Sequence, residues 1–208
     1  MTETFSKTVA LIVFDDYTDI DLILTWDLLK RVHLDGWQVR ILGTQPEHRS
    51  MTGLTTLTHG TIDEARHADA VVFGSGKGNR PLVNDADYLA RLQLDPERQL
   101  ITSICSGALF LGALGLLAGK RATTYPSAKP LLEAYGVKVV EEPFVVQGNV
   151  ATAGGCFAAQ YLVGWILEQF LGESIRDAVI ASAQPVGEGL YFSTEVEAEQ
   201  KLEQTSAV

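Results

Sequence analysis

Cys105 closes the apolar run Leu100-Ile101-Thr102-Ser103-Ile104, with a small residue two positions before it, Ser103, and another two after it, Gly107. That spacing fits a nucleophile elbow, a tight strand-to-helix turn that lifts a reactive side chain above the edge of a sheet. Small neighbours are needed there because the backbone is strained and runs close to its surroundings. The next segment, 108–117, is apolar and predicts a buried helix, closed at Gly119. Its N-terminal N–H groups would favour a thiolate over a thiol. A free cysteine is most often buried and inert; the turn position is what argues otherwise here. Cys156, in Thr152-Ala-Gly-Gly-Cys156-Phe, also precedes a helical segment, but no apolar strand ends on it, so packing is its expected role.

A cysteine nucleophile needs a group to move protons, most often histidine. All four histidines, His33, His48, His59 and His67, precede Cys105. His59, after Leu54-Thr-Thr-Leu-Thr, is the best placed, although a solvent-exposed turn histidine is the simpler reading. A carboxylic acid is the other option. The acidic stretch Asp15-Asp16-Tyr17-Thr18-Asp19-Ile20-Asp21 falls between the first strand and the first helix, at the sheet end where α/β proteins place ligands. Asp21 is therefore a candidate acid/base, yet Thr18-x-x-Asp21 also matches a helix capping box, and the pattern alone favours the cap. Gly74-Ser75-Gly76-Lys77-Gly78 could offer backbone N–H groups to a developing negative charge. It has neither the Ser or Thr of a P-loop nor the spacing of a GxGxxG turn. No cysteine or histidine falls in a metal-ligand spacing, so no metal is expected.

The elements that must position these groups follow a βα rhythm. Strands are predicted over 8–14, 38–42, 70–73 and 100–104, with helices over 20–32, 85–94 and 108–117 between or after them, and a short strand over 121–124. Strands as apolar as Val9-Ala-Leu-Ile-Val-Phe14 suit a mostly parallel sheet covered on both faces. Short β segments at 138–140, 144–146 and 149–152 read as an antiparallel excursion. A helix then resumes over 157–171 and closes at Gly172, and the tail 195–203 reads as a solvated helix or frayed end.

With 46% apolar and 20% charged residues, the 208-residue chain can bury one substantial core, and a single domain over 1–208 is expected. A formal net charge of −10 argues against nucleic acid and anionic membrane surfaces, which need clustered Lys and Arg. The N-terminus lacks an apolar signal core and the longest apolar helix candidate is too short to span a bilayer, so a soluble, cytoplasmic protein is expected.

The segment Ile101-Thr-Ser-Ile-Cys105-Ser-Gly-Ala-Leu109, followed by Gly115-Leu-Leu-Ala-Gly-Lys-Arg-Ala-Thr-Thr124, resembles the ThiJ/PfpI superfamily of relatives of the Parkinsonism-associated protein. The likeness also takes in Val13-Phe14, Ile20-Asp21-Leu22, the turn 74–78, Gly148-Asn149 and Thr152-Ala-Gly-Gly155. Within the superfamily the chain is most similar to isocyanide (isonitrile) hydratases. The resemblance implies a flavodoxin-like three-layer sandwich, a cofactor-free site on the elbow cysteine, and a homodimer with the site near its interface. It makes Cys105 the nucleophile and Asp21 its acidic partner, overturning the capping-only reading. Ser106 matches the Thr or Ser that follows the nucleophile, and Gly76 with its N–H groups matches a glycine loop of PGG type, from which Gly74-Ser75-Gly76 departs. Tyr125 stands where many relatives have His, and Thr25-Trp26 replaces a smaller pattern that often includes proline. The expected activity is hydration of an isocyanide to an N-substituted formamide. The alternatives are a non-catalytic redox sensor with Cys105 as a sulfinate, or a glyoxalase- or deglycase-like enzyme acting on 2-oxoaldehydes.

Overall fold

A computed structural model describes residues 5–185. In chain order the elements are β1 (Lys7–Ile12), α1 (Asp19–Lys30), β2 (Trp37–Gly43), β3 (Glu47–Arg49), β4 (Thr55–Leu57), β5 (Gly60–Thr61), β6 (Ala70–Phe73), α2 (Asn79–Leu82), α3 (Ala86–Leu92) and β7 (Leu100–Ile104). There follow α4 (Ala108–Ala113), β8 (Arg121–Ala122), α5 (Lys129–Glu133), β9 (Lys138–Val139), β10 (Phe144–Gln147), β11 (Val150–Ala153), α6 (Ala159–Leu171) and α7 (Glu173–Ala181). The main sheet has seven strands in the order β10-β11-β7-β6-β1-β2-β5. Every pairing in it is parallel except β10 with β11. This is the mostly parallel, helix-covered α/β sandwich that the continuous apolar strands predict.

β6 and β7 are buried along their whole length, as strands covered on both faces must be. α6 packs on β7 and β11 and against α1, while α4 packs on β7 and against α5. Phe110 of α4 anchors that contact, its ring 5.4 Å from Phe14, 5.1 Å from Phe73 and 5.9 Å from Tyr88. Aromatic clusters of this kind bury a large apolar area in a fixed geometry.

Three sequence expectations are corrected. The helix after Cys105 ends at Ala113 rather than running to Leu117. Gly115 takes φ +73°, its N–H bonds the Gly112 carbonyl at 2.9 Å, and the Leu116 N–H bonds the Leu111 carbonyl at 3.0 Å. That is a Schellman closure, so Gly115 ends the helix and Gly119, at φ +69°, turns the chain toward β8. The strand expected over 121–124 lies outside the main sheet and pairs in parallel with β9, so of the expected antiparallel excursion only β10 and β11 pair antiparallel. The place beside β7 is taken by β11, in register from Val150 opposite Ile101 to Ala153 opposite Ile104. Gly172 does close α6. The tail expectation at 195–203 lies outside the described residues. No helix among the described residues is long and apolar enough to cross a membrane.

Candidate active site

β7 delivers the chain to Cys105, whose φ of +56° is the left-handed conformation that a side-chain-bearing residue adopts only under constraint. Such a residue stores about 1–3 kcal/mol, which its surroundings must offset. The constraints are visible. The Thr124 hydroxyl donates to the Cys105 carbonyl at 2.8 Å. The fully buried Asn79 amide donates to both the carbonyl and the hydroxyl of Ser106, each at 2.9 Å. Gly107 packs so tightly that an added Cβ would lie 2.3 Å from the Phe73 carbonyl oxygen. The small residue expected two positions after Cys105 is thus required by the end of β6.

Asp21 is 1% exposed and does not cap α1. Thr18 occupies the N-cap position without a capping bond, and its hydroxyl accepts from the Ser75 hydroxyl at 2.9 Å. Asp21 turns instead toward the glycine turn after β6, where its Oδ2 accepts the Ser75 N–H at 2.8 Å. Its Oδ1 is buried without a hydrogen-bond partner. Gly76, at φ +153°, presses the same turn against the first strand-to-helix loop, for a Cβ there would lie 2.2 Å from the Asp16 carbonyl oxygen.

Cys156 completes the group. It opens a 3-10 turn, Cys156–Ala158, ahead of α6. Because β11 lies beside β7, this turn leaves the sheet at the same edge as the elbow. A carboxylate oxygen of Asp21 and the Sγ atoms of Cys105 and Cys156 all lie within 4.8 Å of one another. The Cys105 thiol is held below its usual range. The facing Cys156 thiol is the largest influence as a hydrogen-bond donor; burial opposes it, the Ser75 side chain and the Ser106 N–H assist it, and the Asp21 charge opposes it. Cys156 is pushed far up, first by Cys105, then by burial and Asp21. Of the two sulfurs, Cys105 is the one shifted toward ionisation.

Asp21 and Cys105 therefore meet at one place, with the Ser106 N–H beside the Cys105 sulfur, the Ser106 hydroxyl held by Asn79, and Gly76 on the turn that carries Ser75. The other acidic candidates do not join them: Asp15 is exposed and accepts from the Arg49 N–H at 3.0 Å, with His48 Nδ1 at 3.1 Å. His59 is exposed, accepts the Ile41 N–H at 2.9 Å and stacks on Trp26 at 5.3 Å. Thr25 is buried and bonds the Asp21 carbonyl at 2.6 Å. Tyr125 is 49% exposed, and the adjacent Thr124 supports the elbow. Cys156, Ser75, Asn79 and Thr124 were not singled out by motif. Only Cys156 carried a signal, its place after two glycines before a helix. A cleft of about 470 Å³, lined by Thr124, Pro126, Lys129, Pro143, Gly155 and neighbours, opens beside the Cys156 turn, whose Ala158 also lines it.

Comparison with known proteins gives the following. The DJ-1/PfpI family model matches residues 7–169. An isonitrile hydratase of Pseudomonas putida is 32% identical over 170 residues, covering 75% of this chain and 72% of that protein. A deglycase of Pyrococcus horikoshii is 27% identical over 151 residues, covering 68% of this chain and 86% of that protein. Among solved structures, a ThiJ/PfpI family protein of Pseudomonas syringae superposes with a TM-score of 0.80 at 22% identity, covering 98% of this chain and 86% of that one. DJ-1 of Schizosaccharomyces pombe does so with a TM-score of 0.73 at 22% identity, covering 86% of this chain and 100% of that one.

Proposed function

The chain belongs to the DJ-1/PfpI family, and from that premise we propose that it is a cofactor-free hydratase converting an isocyanide and water to an N-substituted formamide. One observation carries the reading: a thiol biased toward its ionised form faces a buried carboxyl group whose second oxygen is free. The likeness to a hydratase at 32% identity supports the choice of substrate.

In the proposed cycle the Cys105 thiolate attacks the terminal carbon of R–N≡C. Asp21, carrying a proton on Oδ1, delivers it to that carbon, giving a thioimidate, R–N=CH–S–Cys105. Water then adds to the thioimidate carbon as the Asp21 carboxylate takes one of its protons and passes it to the nitrogen. The tetrahedral species R–NH–CH(OH)–S–Cys105 collapses: the C–S bond breaks, the hydroxyl proton returns to Asp21, and R–NH–CHO leaves. Thiolate and acid are both regenerated. The Ser75 N–H fixes the carboxyl group through Oδ2, leaving Oδ1 to work. Ser106 and the N–H groups of the Gly76 turn orient water and the developing charge, and R lies in the cleft beside Thr124.

The family likeness, and the exposure of Ile20 (36%), Ile23 (45%) and Phe157 (73%) on α1 and the Cys156–Ala158 turn that packs beside it, support a homodimer that covers this face. A reducing compartment such as the cytoplasm would keep both thiols free. The discriminating experiment offers purified protein an alkyl isocyanide and methylglyoxal in parallel. Formamide production dependent on Cys105 supports the hydratase. Turnover of methylglyoxal alone would replace it with the deglycase-like reading. Peroxide-driven addition of two oxygens to Cys105 with neither turnover would favour a sensor.

A further inference from the structure

Cys156 moves no atom in the proposed cycle, yet its sulfur stands with those of Cys105 and Asp21 in one cluster. We infer that Asp21, Cys105 and Cys156 form a binding site for a thiophilic divalent cation, with Zn²⁺ the ion that fits the donor set. The donors are two sulfurs and one carboxylate oxygen, all within 4.8 Å of one another. Around a tetrahedral zinc, sulfur at ~2.3 Å and oxygen at ~2.0–2.2 Å stand roughly 3.5–3.8 Å apart, so no pair needs to close by more than about 1.3 Å. Cys156 can supply that movement, being half-buried on a short turn preceded by two glycines. A disulfide would demand a closer approach, to about 2.05 Å between the sulfurs, and both cysteines are free.

The Asp21 carboxylate is the independent sign of a ligand. At 1% exposure its Oδ1 has neither water access nor a hydrogen-bond partner, a costly state for a polar atom. Its Oδ2 is meanwhile pinned by the Ser75 N–H at 2.8 Å. A metal-ligating carboxylate is commonly oriented in this way, one oxygen held by a hydrogen bond and the other turned to the ion. The Thr124 hydroxyl on the Cys105 carbonyl likewise fixes the elbow that presents the second ligand. Two thiolates exclude Mg²⁺ and Ca²⁺, which require octahedral or larger shells of oxygen. Three protein ligands leave a fourth position for water. Binding stands apart from the hydratase reading. Only the consequence, that zinc captures the nucleophile and silences turnover, rests on that reading.

The test is zinc binding to the metal-free chain, read by competition with a chromogenic chelator and with Co²⁺ as a spectroscopic substitute. One ion per chain is expected, with thiolate-to-cobalt charge transfer and four-coordinate ligand-field bands. Zinc should protect both cysteines from alkylation. Cys156→Ser should weaken zinc at least ~100-fold and Asp21→Asn at least ~10-fold, since even outer partners of a metal site are worth 10–100-fold. Thermal unfolding of each variant verifies its fold, and the cobalt spectrum and alkylation protection of the unmodified chain decide the matter if a variant does not fold. Failure to bind one ion, a cobalt spectrum without thiolate bands, or zinc affinity unchanged in Cys156→Ser would overturn the site. Formamide production measured with chelator present is unaffected by that outcome, so the two readings fail separately.

Discussion

Replacing Asp21 by Asn separates the carboxyl group's structural work from its chemistry. The side chain makes one hydrogen bond, Oδ2 accepting the Ser75 N–H at 2.8 Å, and caps nothing. Asn keeps the shape and can turn its carbonyl oxygen to that N–H, so one hydrogen bond to a neutral acceptor, worth ~0.5–1.5 kcal/mol, replaces another. The expected loss is at most about 1 kcal/mol, or roughly 2–4 °C in Tm for a domain of this size. Asp21→Ala instead leaves the buried Ser75 N–H without an acceptor, adding a penalty of ~1–3 kcal/mol. Turnover should respond differently, because neither variant carries an exchangeable carboxyl proton: both should fall by roughly 10²-fold or more. Calorimetric unfolding and formamide production measured on the same preparations provide the comparison. Near-normal turnover by Asp21→Asn would refute the acid/base assignment.

Gly107→Ala should distort the elbow, because its Cβ would meet two backbone carbonyls, those of Phe73 and Gly74, at 2.3 and 2.7 Å. Overpacking against rigid backbone costs ~1–3 kcal/mol, and calorimetry with activity measurements should show both stability and turnover falling. Iodoacetamide should label Cys105 ahead of Cys156, with a rate that rises with pH and levels off below the ~8.5 of an ordinary thiol, since its titration is shifted down while that of Cys156 is shifted up. Peptide mapping after brief alkylation at several pH values checks this, and preferential labelling of Cys156 would contradict it. Tyr88→Phe should leave Tm unchanged or raise it by a few degrees, because the Tyr88 hydroxyl is buried without a partner beside Phe110 and burial drives its titration upward. A fall of several degrees would show that the hydroxyl is satisfied in solution.

The elbow was legible in sequence because its constraints are local: an apolar strand, a cysteine, and Gly107 where only hydrogen fits against Phe73. The parallel sheet was legible for the same reason, in continuous runs such as β1 and β6. Other features depended on which chain segments become neighbours in space. The pairing of β11 with β7, which displaces β8 from the main sheet and brings Cys156 to the elbow, is a contact between residues about fifty apart. The capping pattern at Thr18 and Asp21 misled because a buried N–H on a distant turn, that of Ser75, claims the carboxylate. The helix after Cys105 ended early because two glycines stood inside the apolar run, and the first of them able to take positive φ after Ala113 closed it. Asn79 and Thr124 support the elbow through side-chain bonds to its backbone, contacts that no local pattern announces.

The most direct test of the central claim is rapid-quench mass spectrometry of the protein mixed with an excess of an alkyl isocyanide. The account predicts a transient adduct on the Cys105 peptide equal in mass to one whole isocyanide, as the thioimidate requires, decaying as the formamide appears and absent from Cys105→Ala. Formamide formed at an undiminished rate by Cys105→Ala, or an adduct carried by Cys156 instead, would contradict it.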